Sequence, residues 1–316
     1  MQAFIVRRLL LIMPTLVIIS IIIFGLVRFV PGDMVDKLAD QRGGIVGMDA
    51  NAIREKMGLN VPIHIQYARW AGNLLKGNFG ESMWNRRTAV SEVARRYPIT
   101  VELAILSISI STFWGLAVGI ISATKRDKFI DYLLRVISII GLSVPYFWTS
   151  IIVLVFSSIY FNWSPPPIYI PLSEDPIGNL KLMIIPALIF SFSIGAPIAR
   201  MTRAMMLEVM NQDYIRTAKA KGLGDNLVIY RHALKNAFMA VITIIGLQAA
   251  WAMSGLLIIE QVWGLPGVGK YLLEVIVDRD YPMLQALVMF CAFIVILINL
   301  TVDLSYAWLD PRVRLS

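Results

Sequence analysis

The stretch NQDYIRTAKAKGLGDNLVIYRHALKNAF, residues 211–238, is a basic, glycine-punctuated segment between two long apolar runs. Its first half predicts a helix that runs through Lys221, with Asn211 or Asp213 as the N-terminal cap. Gly222 follows directly and is the residue type most often found just after a helix end. The stretch therefore predicts a short polar helix that ends at a glycine turn.

The second half of the stretch predicts another helix, which starts at Asp225 or Asn226. Its apolar residues recur at helical spacing and form one stripe: Leu227, Tyr230, Leu234 and Ala237. The first helix instead combines small residues with cations: Arg216, Ala218, Lys219, Ala220, Lys221 and Gly222. Such a helix–glycine–helix element suits docking of a partner protein, while a basic loop held on anionic lipid would have the same composition.

The rest of the chain is strongly apolar. Of 316 residues, 57% are hydrophobic and only 16% are charged, whereas globular domains carry about 25% charged residues. Runs of about 20 apolar residues, long enough to cross a bilayer as helices, recur along the chain. They predict an all-α integral membrane protein with six spans, at about 9–30, 99–122, 133–160, 182–200, 239–259 and 284–308. The first run follows Arg7 and Arg8 but has no signal-peptidase site after it, so it is expected to be retained.

The distribution of Lys and Arg predicts the orientation, because short loops rich in these residues stay in the cytoplasm. Such loops are the N-terminus, the turn at 123–131, the segment 200–238 and the tail. Both termini and the opening stretch are therefore expected on the cytoplasmic side. The net charge of +8 follows from the same rule and does not require a nucleic-acid partner.

This orientation divides the chain into expected parts, which are residues 1–30, 31–96, 97–308 and 309–316. They are the first span with its cytoplasmic end, an extracytoplasmic insertion, a five-helix core with a cytoplasmic loop at about 201–238, and a cytoplasmic tail. The insertion contains MDANAIREKMGLN, a short helix between Asp49 and Gly58, and IQYARWAGNLLKGNFG, a second amphipathic helix. The next outer loop, with SPPPIYIP, is expected to be extended.

No catalytic, metal or cofactor site is expected. Cys291 is the only cysteine, so no disulfide forms within the chain, and His64 and His232 lack the company of other ligands. Residues 264–270, GLPGVGK, match G-x-x-x-x-G-K after a strand-like LLIIEQVW, but Tyr271 replaces the hydroxyl residue that a nucleotide-binding loop needs. The segment is instead interpreted as a turn shaped by Gly and Pro that docks a partner outside the membrane.

Polar residues inside the spans are candidates for function. Glu102, Arg135 and Asp303 favour anchoring of helix ends or pairing between helices over a place in the substrate path, and Gln248 and Asn299 are expected to face the interior. Several spans also contain prolines and glycines, namely Pro14, Pro145, Pro186, Pro197, Gly115, Gly119, Gly141 and Gly195. They favour close helix packing, and they are also compatible with helices that change their mutual angle.

The stretch RTAKAKGLGDNLVIYRHALKNA resembles the signature loop of binding-protein-dependent ABC importer permeases. When the two are aligned on Gly222, Arg216, Thr217 and Ala218 occupy the E-A-A places, while His232 and Lys235 depart from the Ile and Pro of the pattern. The remaining wording resembles the dipeptide/oligopeptide/nickel branch. So do FVPGD, MGLNVPIHIQYARW, GNFGES, YPITVEL, GLSVPYFW, ARMTRAMMLEV, EQVWGLPGVGKYLLEVIVDRDYP and NLTVDLSYAWLDPRVR, in order along nearly the whole chain.

The resemblance implies the type I importer permease fold and a subunit of a prokaryotic inner or plasma membrane. It implies partners too: a second, similar permease in a heterodimer, two cytoplasmic ATPase subunits, an external solute-binding protein and membrane lipid. The contact with the ATPase would involve Arg216, Thr217, Ala218, Lys219, Ala220, Lys221 and Gly222. The turn that docks the binding protein would include Gly264, Pro266, Gly267 and Gly269.

Peptides are the substrate class that the resemblance favours, with nickel complexes, glutathione-like compounds and oligosaccharides as alternatives. A secondary transporter driven by an ion gradient would favour paired ionisable residues at span centres and inverted repeats, neither of which is clear. A membrane-embedded enzyme would need a constellation of reactive side chains, and the sequence does not offer one.

Overall fold

The computed structural model describes the backbone of residues 2–29 and 60–309, and the side chains there except those of 2–9, 28–29, 253–255 and 302–309. Within these residues the regular structure is helical, apart from one isolated bridge between Glu81 and Thr88. The predicted helix at 49–58, the Asp303 side chain and the tail lie outside what is described.

The helices follow one another with short connections. They are α1 (Gln2–Phe29), α2 (Ile63–Leu75), α3 (Ala89–Thr124), α4 (Phe129–Ser143), α5 (Tyr146–Phe161), α6 (Pro176–Met210), α7 (Asp213–Ala220), α8 (Asp225–Leu227), a π-helix (Val228–Ala233), α9 (Leu234–Trp263), α10 (Val268–Asp278) and α11 (Tyr281–Leu309).

The six predicted spans are confirmed as helical segments. Five helical segments of the described chain are long and apolar enough to cross a membrane, and α4 with α5 passes the same test as a bent pair. The span predicted at 99–122 lies inside the 36-residue α3, which continues through Pro98 back to Ala89. The predicted cytoplasmic loop at 201–238 begins inside α6, which extends to Met210.

The third predicted span is not one straight helix. The axes of α4 and α5 differ by 94°, and the chain bends at Val144 and Pro145, here called the elbow. Val144 is extended, at φ −89° and ψ 121°, because the ring of a following proline disfavours the helical conformation. Pro145 then caps the start of α5 and has no N–H of its own that needs an acceptor.

The described helices belong to two compact units. The first comprises residues 99–266 and 298–316. Its core is apolar, and its large, fully buried side chains come from α3, α6 and α9, among them Leu103, Met183, Phe190, Leu256 and Ile259. At the elbow, the Tyr146 ring lies 5.1 Å from the ring of Phe190 and 6.1 Å from that of Trp251.

Glycine allows α3 and α6 to approach closely within the first unit. A Cβ atom added to Gly119 would lie 2.5 Å from Cβ of Thr202 and 2.7 Å from the carbonyl oxygen of Ala199. Real Cβ atoms do not approach a backbone this closely, so only glycine fits at this contact. The interpretation of the span glycines as packing residues is supported at this position.

The second unit comprises residues 2–98 and 267–297. The predicted amphipathic helix near residue 65 is present as α2 and packs on α1. Ser20 and Tyr67 share a hydrogen bond of 2.8 Å, and Phe24 contacts the rings of Tyr67 and Trp70. A separate apolar cluster joins the start of α3 to α10 and α11 through Ala89, Val93, Val268, Tyr271, Val275, Met283, Ala286 and Leu287.

Candidate functional site

The helix α7 lies at the centre of the candidate site, in the first compact unit. It begins at Asp213 after Gln212, and no side chain caps its N-terminus. The predicted capping by Asn211 or Asp213 is therefore wrong. The Asn211 amide donates instead to the carbonyl oxygen of Leu207, and the Asp213 carboxylate lies 3.4 Å from Arg216.

The C-terminal end of α7 depends on Gly222, as predicted. Gly222 has φ +78°, a left-handed conformation that costs other L-residues about 1–2 kcal/mol. Its N–H donates to the carbonyl of Lys219, and the N–H of Leu223 donates to that of Ala218. This pair of bonds is the Schellman arrangement, which satisfies carbonyl groups at the end of the helix.

One face of α7 is buried in the chain. Ile215 is 1% exposed and Ala218 is 7% exposed. They belong to the α7 cluster, which we define as the buried residues Ala123, Met206, Ile215, Ala218, Val228, Ala233 and Ala237. These residues come from α3, α6, α7, the π-helix and α9. The position of α7 is thereby fixed by direct packing to the ends of three membrane-crossing helices.

The opposite face of α7 is exposed and mostly polar. Six of the seven predicted coupling residues are exposed, namely Arg216, Thr217, Lys219, Ala220, Lys221 and Gly222. Ala218 is the exception, because it faces the α7 cluster and its side chain is not available to a partner. The ion pairs Arg216–Asp213 and Lys219–Asp225, at 3.4 and 3.8 Å, join exposed side chains and so stabilise the fold little.

The stripe predicted after Asp225 has the wrong phase. Leu227 is 41% and Tyr230 is 61% exposed, whereas Val228 and Ala233 are buried. The reason is the π-helix at Val228–Ala233, whose wider turn shifts the side chains away from the spacing of an α-helix. Only Leu234 and Ala237 of the predicted stripe pack against the α7 cluster.

A buried ion pair that the sequence analysis missed lies next to this cluster. Asp131, at the start of α4, is fully buried. Arg203 of α6 donates to both of its carboxylate oxygens, at 2.9 and 2.8 Å, and the Ser122 hydroxyl of α3 and the N–H of Asp127 donate to it too. This network ties α3, α4 and α6 together. The sequence gives no signal for it, because Asp131 and Arg203 are 72 residues apart.

The residues from Gly264 to Gly269 connect α9 to α10. Gly264 ends α9 at φ +69° and is exposed, and Pro266 and Gly269 are partly exposed, but Gly267 is buried. The resemblance to a nucleotide-binding loop fails on structural grounds as well. Residues 256–263, which precede the turn, are the end of α9 and not a strand, whereas a phosphate-binding loop of this type follows a strand.

Polar residues of the second unit form contacts around α10. Asp280 is 1% exposed, and its carboxylate accepts hydrogen bonds from the Ser82 hydroxyl at 2.6 Å and the Met83 N–H at 3.1 Å. Burial raises the pKa of Asp280, because removal from water disfavours the charged form. The segment before α3 is thereby fastened to the residue between α10 and α11.

Glu92 organises a second polar cluster in this unit. It is 1% exposed and binds three arginines, with contacts of 3.2 Å to Arg87, 2.7 Å to Arg95 and 3.0 Å to Arg96. The Arg96 guanidinium also lies over the ring of Tyr271, 3.9 Å from its centre. A carboxylate with this many donors stays ionised and orients the arginines around it.

The other singled-out polar residues are dispersed. Glu102 accepts a hydrogen bond of 2.8 Å from the Tyr169 hydroxyl, and burial together with this carboxylate raises the pKa of Tyr169. This contact fits the expected pairing between a span and a neighbouring segment. Gln248 donates to the carbonyl of Ile194 on α6, at 3.1 Å, as expected for an interior residue. Asn299, in contrast, is exposed in this chain.

Solved structures identify the fold as that of a membrane subunit of an ABC transporter. A chain of a structure titled "Inward facing conformations of the MetNI methionine ABC transporter" matches with a TM-score of 0.56 at 15% sequence identity, over 70% of this chain and 97% of that one. A second crystal form of the same transporter gives a TM-score of 0.58 at 14% identity. At these identities the likeness shows the fold alone.

The family follows from sequence models and relatives. Residues 115–315 match the model of the binding-protein-dependent transport system inner membrane component, and residues 1–104 match the model of its N-terminal part. The chain belongs to this family, as the motifs predicted, and is therefore a multi-pass inner-membrane protein.

Three relatives match along practically their full length. One is a putative peptide transport system permease protein of Brucella abortus, 36% identical over 99% of both chains. Another is the di/tripeptide transport system permease protein DppB of Pseudomonas aeruginosa, 35% identical over 99% of both. The third is the oligopeptide transport system permease protein AppB of Bacillus subtilis, 36% identical over 99% of this chain and 100% of that one.

Proposed function

We propose that this chain is a permease subunit of an ATP-driven importer of peptides, and that α7 is the element through which an ATPase subunit moves the membrane helices. Both ends of the chain and α7 lie on the cytoplasmic side in this proposal. Peptides are proposed as substrate because several curated relatives of nearly equal length are named as peptide permeases. The chain catalyses no reaction itself, since ATP is hydrolysed by its partner.

The observation that carries the proposal is the division of α7 into two faces. Its inner face, Ile215 and Ala218, packs into a cluster contributed by three membrane-crossing helices. Its outer face presents Arg216, Lys219 and Lys221 to solvent. A partner that grips the outer face displaces the inner face, and close packing transmits the displacement because protein interiors have little compressibility.

The Asp131–Arg203 pair extends this coupling to α4. It binds α4 to α6 and α3 beside the α7 cluster, so that the helices respond together rather than singly. ATP binding to the partner favours one of two arrangements of the transporter, and the difference in its affinity for the two supplies the free energy for the change.

The proposed assembly contains a second, homologous permease in a heterodimer, two ATPase subunits and an external solute-binding protein. The binding protein would dock at the turn between α9 and α10. Gly264, Pro266 and Gly269 are accessible there, whereas the buried Gly267 acts through the conformation of the turn.

The proposal is tested by charge reversal on the outer face of α7. Lys219→Glu is expected to abolish most peptide uptake and peptide-stimulated ATP hydrolysis in proteoliposomes that hold the assembled transporter. Its thermal unfolding should stay unchanged, because Lys219 is exposed and its ion pair with Asp225 is long. Lys235→Glu, an exposed lysine outside α7, is the matched control and should retain uptake. Normal coupled activity of Lys219→Glu would defeat the proposal.

A second test uses the backbone at Gly222. Nothing lies within 4 Å of a Cβ atom added there, so any effect of a substitution comes from the left-handed φ and not from a clash. Uptake is expected to decrease from Gly to Asn to Val, because Asn tolerates this conformation and a β-branched residue does not. Equal uptake by Gly222→Asn and Gly222→Val would show that the glycine turn is not needed for coupling.

A further inference from the structure

A cavity of about 290 Å³ lies between α3, α4 and α6 of the first unit. We call it the basic pocket, because three arginines line it together with small polar and apolar side chains: Ser122, Arg135, Ser138, Ile139, Arg200 and Arg203. The proposed coupling uses one of these arginines, Arg203, and leaves the other two without a role.

The charge of the basic pocket is not balanced within the described residues. Asp131 is the carboxylate beside it, and Arg203 already engages both of its oxygens. Neither Arg135 nor Arg200 forms an ion pair with a described residue, and Arg135 contacts the Tyr132 ring at 5.3 Å instead. Three arginines and one carboxylate leave a charge of +2, which calls for an anion at this depth.

The pocket lies near the ends of the helices that form it. Ser122 is two residues from the end of α3, and Arg135 is six residues into α4, which corresponds to about 9 Å along the axis. Arg203 lies seven residues before the end of α6. This is the level at which phospholipid headgroups meet the hydrocarbon region, and it is the end of the helices that carries α7.

The α4 face beside the pocket is apolar and uncovered. Leu133, Val136 and Ile140 are 42%, 51% and 47% exposed. Such a surface suits contact with acyl chains, so a molecule in the pocket can be charged at one end and apolar at the other. A soluble anion would leave this apolar face without a partner.

We propose that the basic pocket binds the phosphate of an anionic phospholipid, with Arg135 and Arg200 as its ligands. Guanidinium groups donate two parallel hydrogen bonds to phosphate oxygens, and basic pockets between membrane helices suit acidic headgroups. A zwitterionic lipid carries its own cation and leaves the charge of the pocket uncompensated. Arg203 acts as a positioning residue, since Asp131 holds it in place.

The assembled transporter in detergent, titrated with phosphatidylglycerol and followed by native mass spectrometry, tests this site. Wild type is expected to retain phosphatidylglycerol in preference to phosphatidylcholine. Arg135→Gln/Arg200→Gln should weaken this binding roughly 30-fold, because each cation near a membrane surface contributes about tenfold. Lys125→Gln/Arg126→Gln, which removes two exposed charges near the same helix ends, is the matched control and should bind as wild type.

Three results would overturn the assignment. Equal retention of both lipids would mean that the charge of the pocket plays no part. Displacement of the lipid by millimolar inorganic phosphate would identify a site for a free anion. Unchanged lipid binding in the arginine variant, together with loss of the partner permease, would mean that a carboxylate of that partner fills the pocket.

Discussion

Two short helices outside the long ones, α7 and α10, use their polar residues in opposite ways. α7 is held by apolar packing and a glycine turn, and its charged residues point to solvent. Around α10, polar groups are consumed by contacts within the chain, with Asp280 bound to Ser82 and Arg96 bound to Glu92 and Tyr271. An element that keeps its charges free is suited to a partner that comes and goes. An element that satisfies them internally is suited to holding a fixed shape.

The largest expected effect breaks the rigid support of the α7 side. Asp131→Ala leaves the Arg203 guanidinium, whose side chain is only 23% exposed, without its carboxylate. Removal of one partner of a buried pair costs about 3–5 kcal/mol, and we expect the lower end because Arg203 keeps some contact with solvent. The measurement is the free energy of unfolding of the purified chain in detergent.

The control for this loss is Asp127→Ala, which breaks an exposed pair with Arg126 and should cost less than about 0.5 kcal/mol. The double variant Asp131→Ala/Arg203→Ala should be more stable than Asp131→Ala alone, since it leaves no charge unpaired. A double variant as unstable as the single one would show that the two residues do not act as a pair.

A smaller effect tests the internal use of polar groups around α10. Ser82→Ala removes the hydroxyl that donates to Asp280 at 2.6 Å, and loss of a hydrogen bond to a charged group costs about 1.5–3 kcal/mol. Ser91→Ala, at an exposed serine in the first turn of α3, should stay within about 0.5 kcal/mol of wild type. Similar values for both variants would remove the distinction drawn between α10 and α7.

The smallest effect concerns pH. Burial raises the pKa of Asp280 above its value in the unfolded chain. The stabilising contribution is therefore complete below the unfolded pKa, about 3.9, and is lost as pH rises through the raised pKa of the folded state. Wild type should lose stability relative to Asp280→Asn as pH is increased from 4, in thermal unfolding of both proteins. A difference that is constant or grows with pH would contradict the buried, reluctant carboxylate.

Sequence patterns revealed the long elements of this fold but not their phase or their partners. The six spans and α2 could be predicted because each depends on a long apolar run or a periodic pattern in adjacent residues. The stripe at Leu227 and Tyr230 was wrong because a π-helix changes the spacing, and nothing in residues 228–233 announces it. Pro145 was visible as a breaker, but the extent of the bend depends on packing against α6 and α9.

The candidate site divides in the same way. Gly222 was predictable, since a glycine after a polar helix has one common reason. Ala218 was taken as part of the outer surface, and its burial depends on Ala123 and Met206, which are distant in sequence. The Asp131–Arg203 pair could not have been found, because many arginines and carboxylates were equally plausible partners.

The elbow sets a limit on length. With 15 residues in α4 and 16 in α5, the two arms measure roughly 22 and 24 Å. At a near right angle, arms that each lean about 45° rise roughly 33 Å in total, little more than the 30 Å of hydrocarbon. Such a crossing has almost no slack, so the loss of a single turn from either arm would leave it too short for the bilayer.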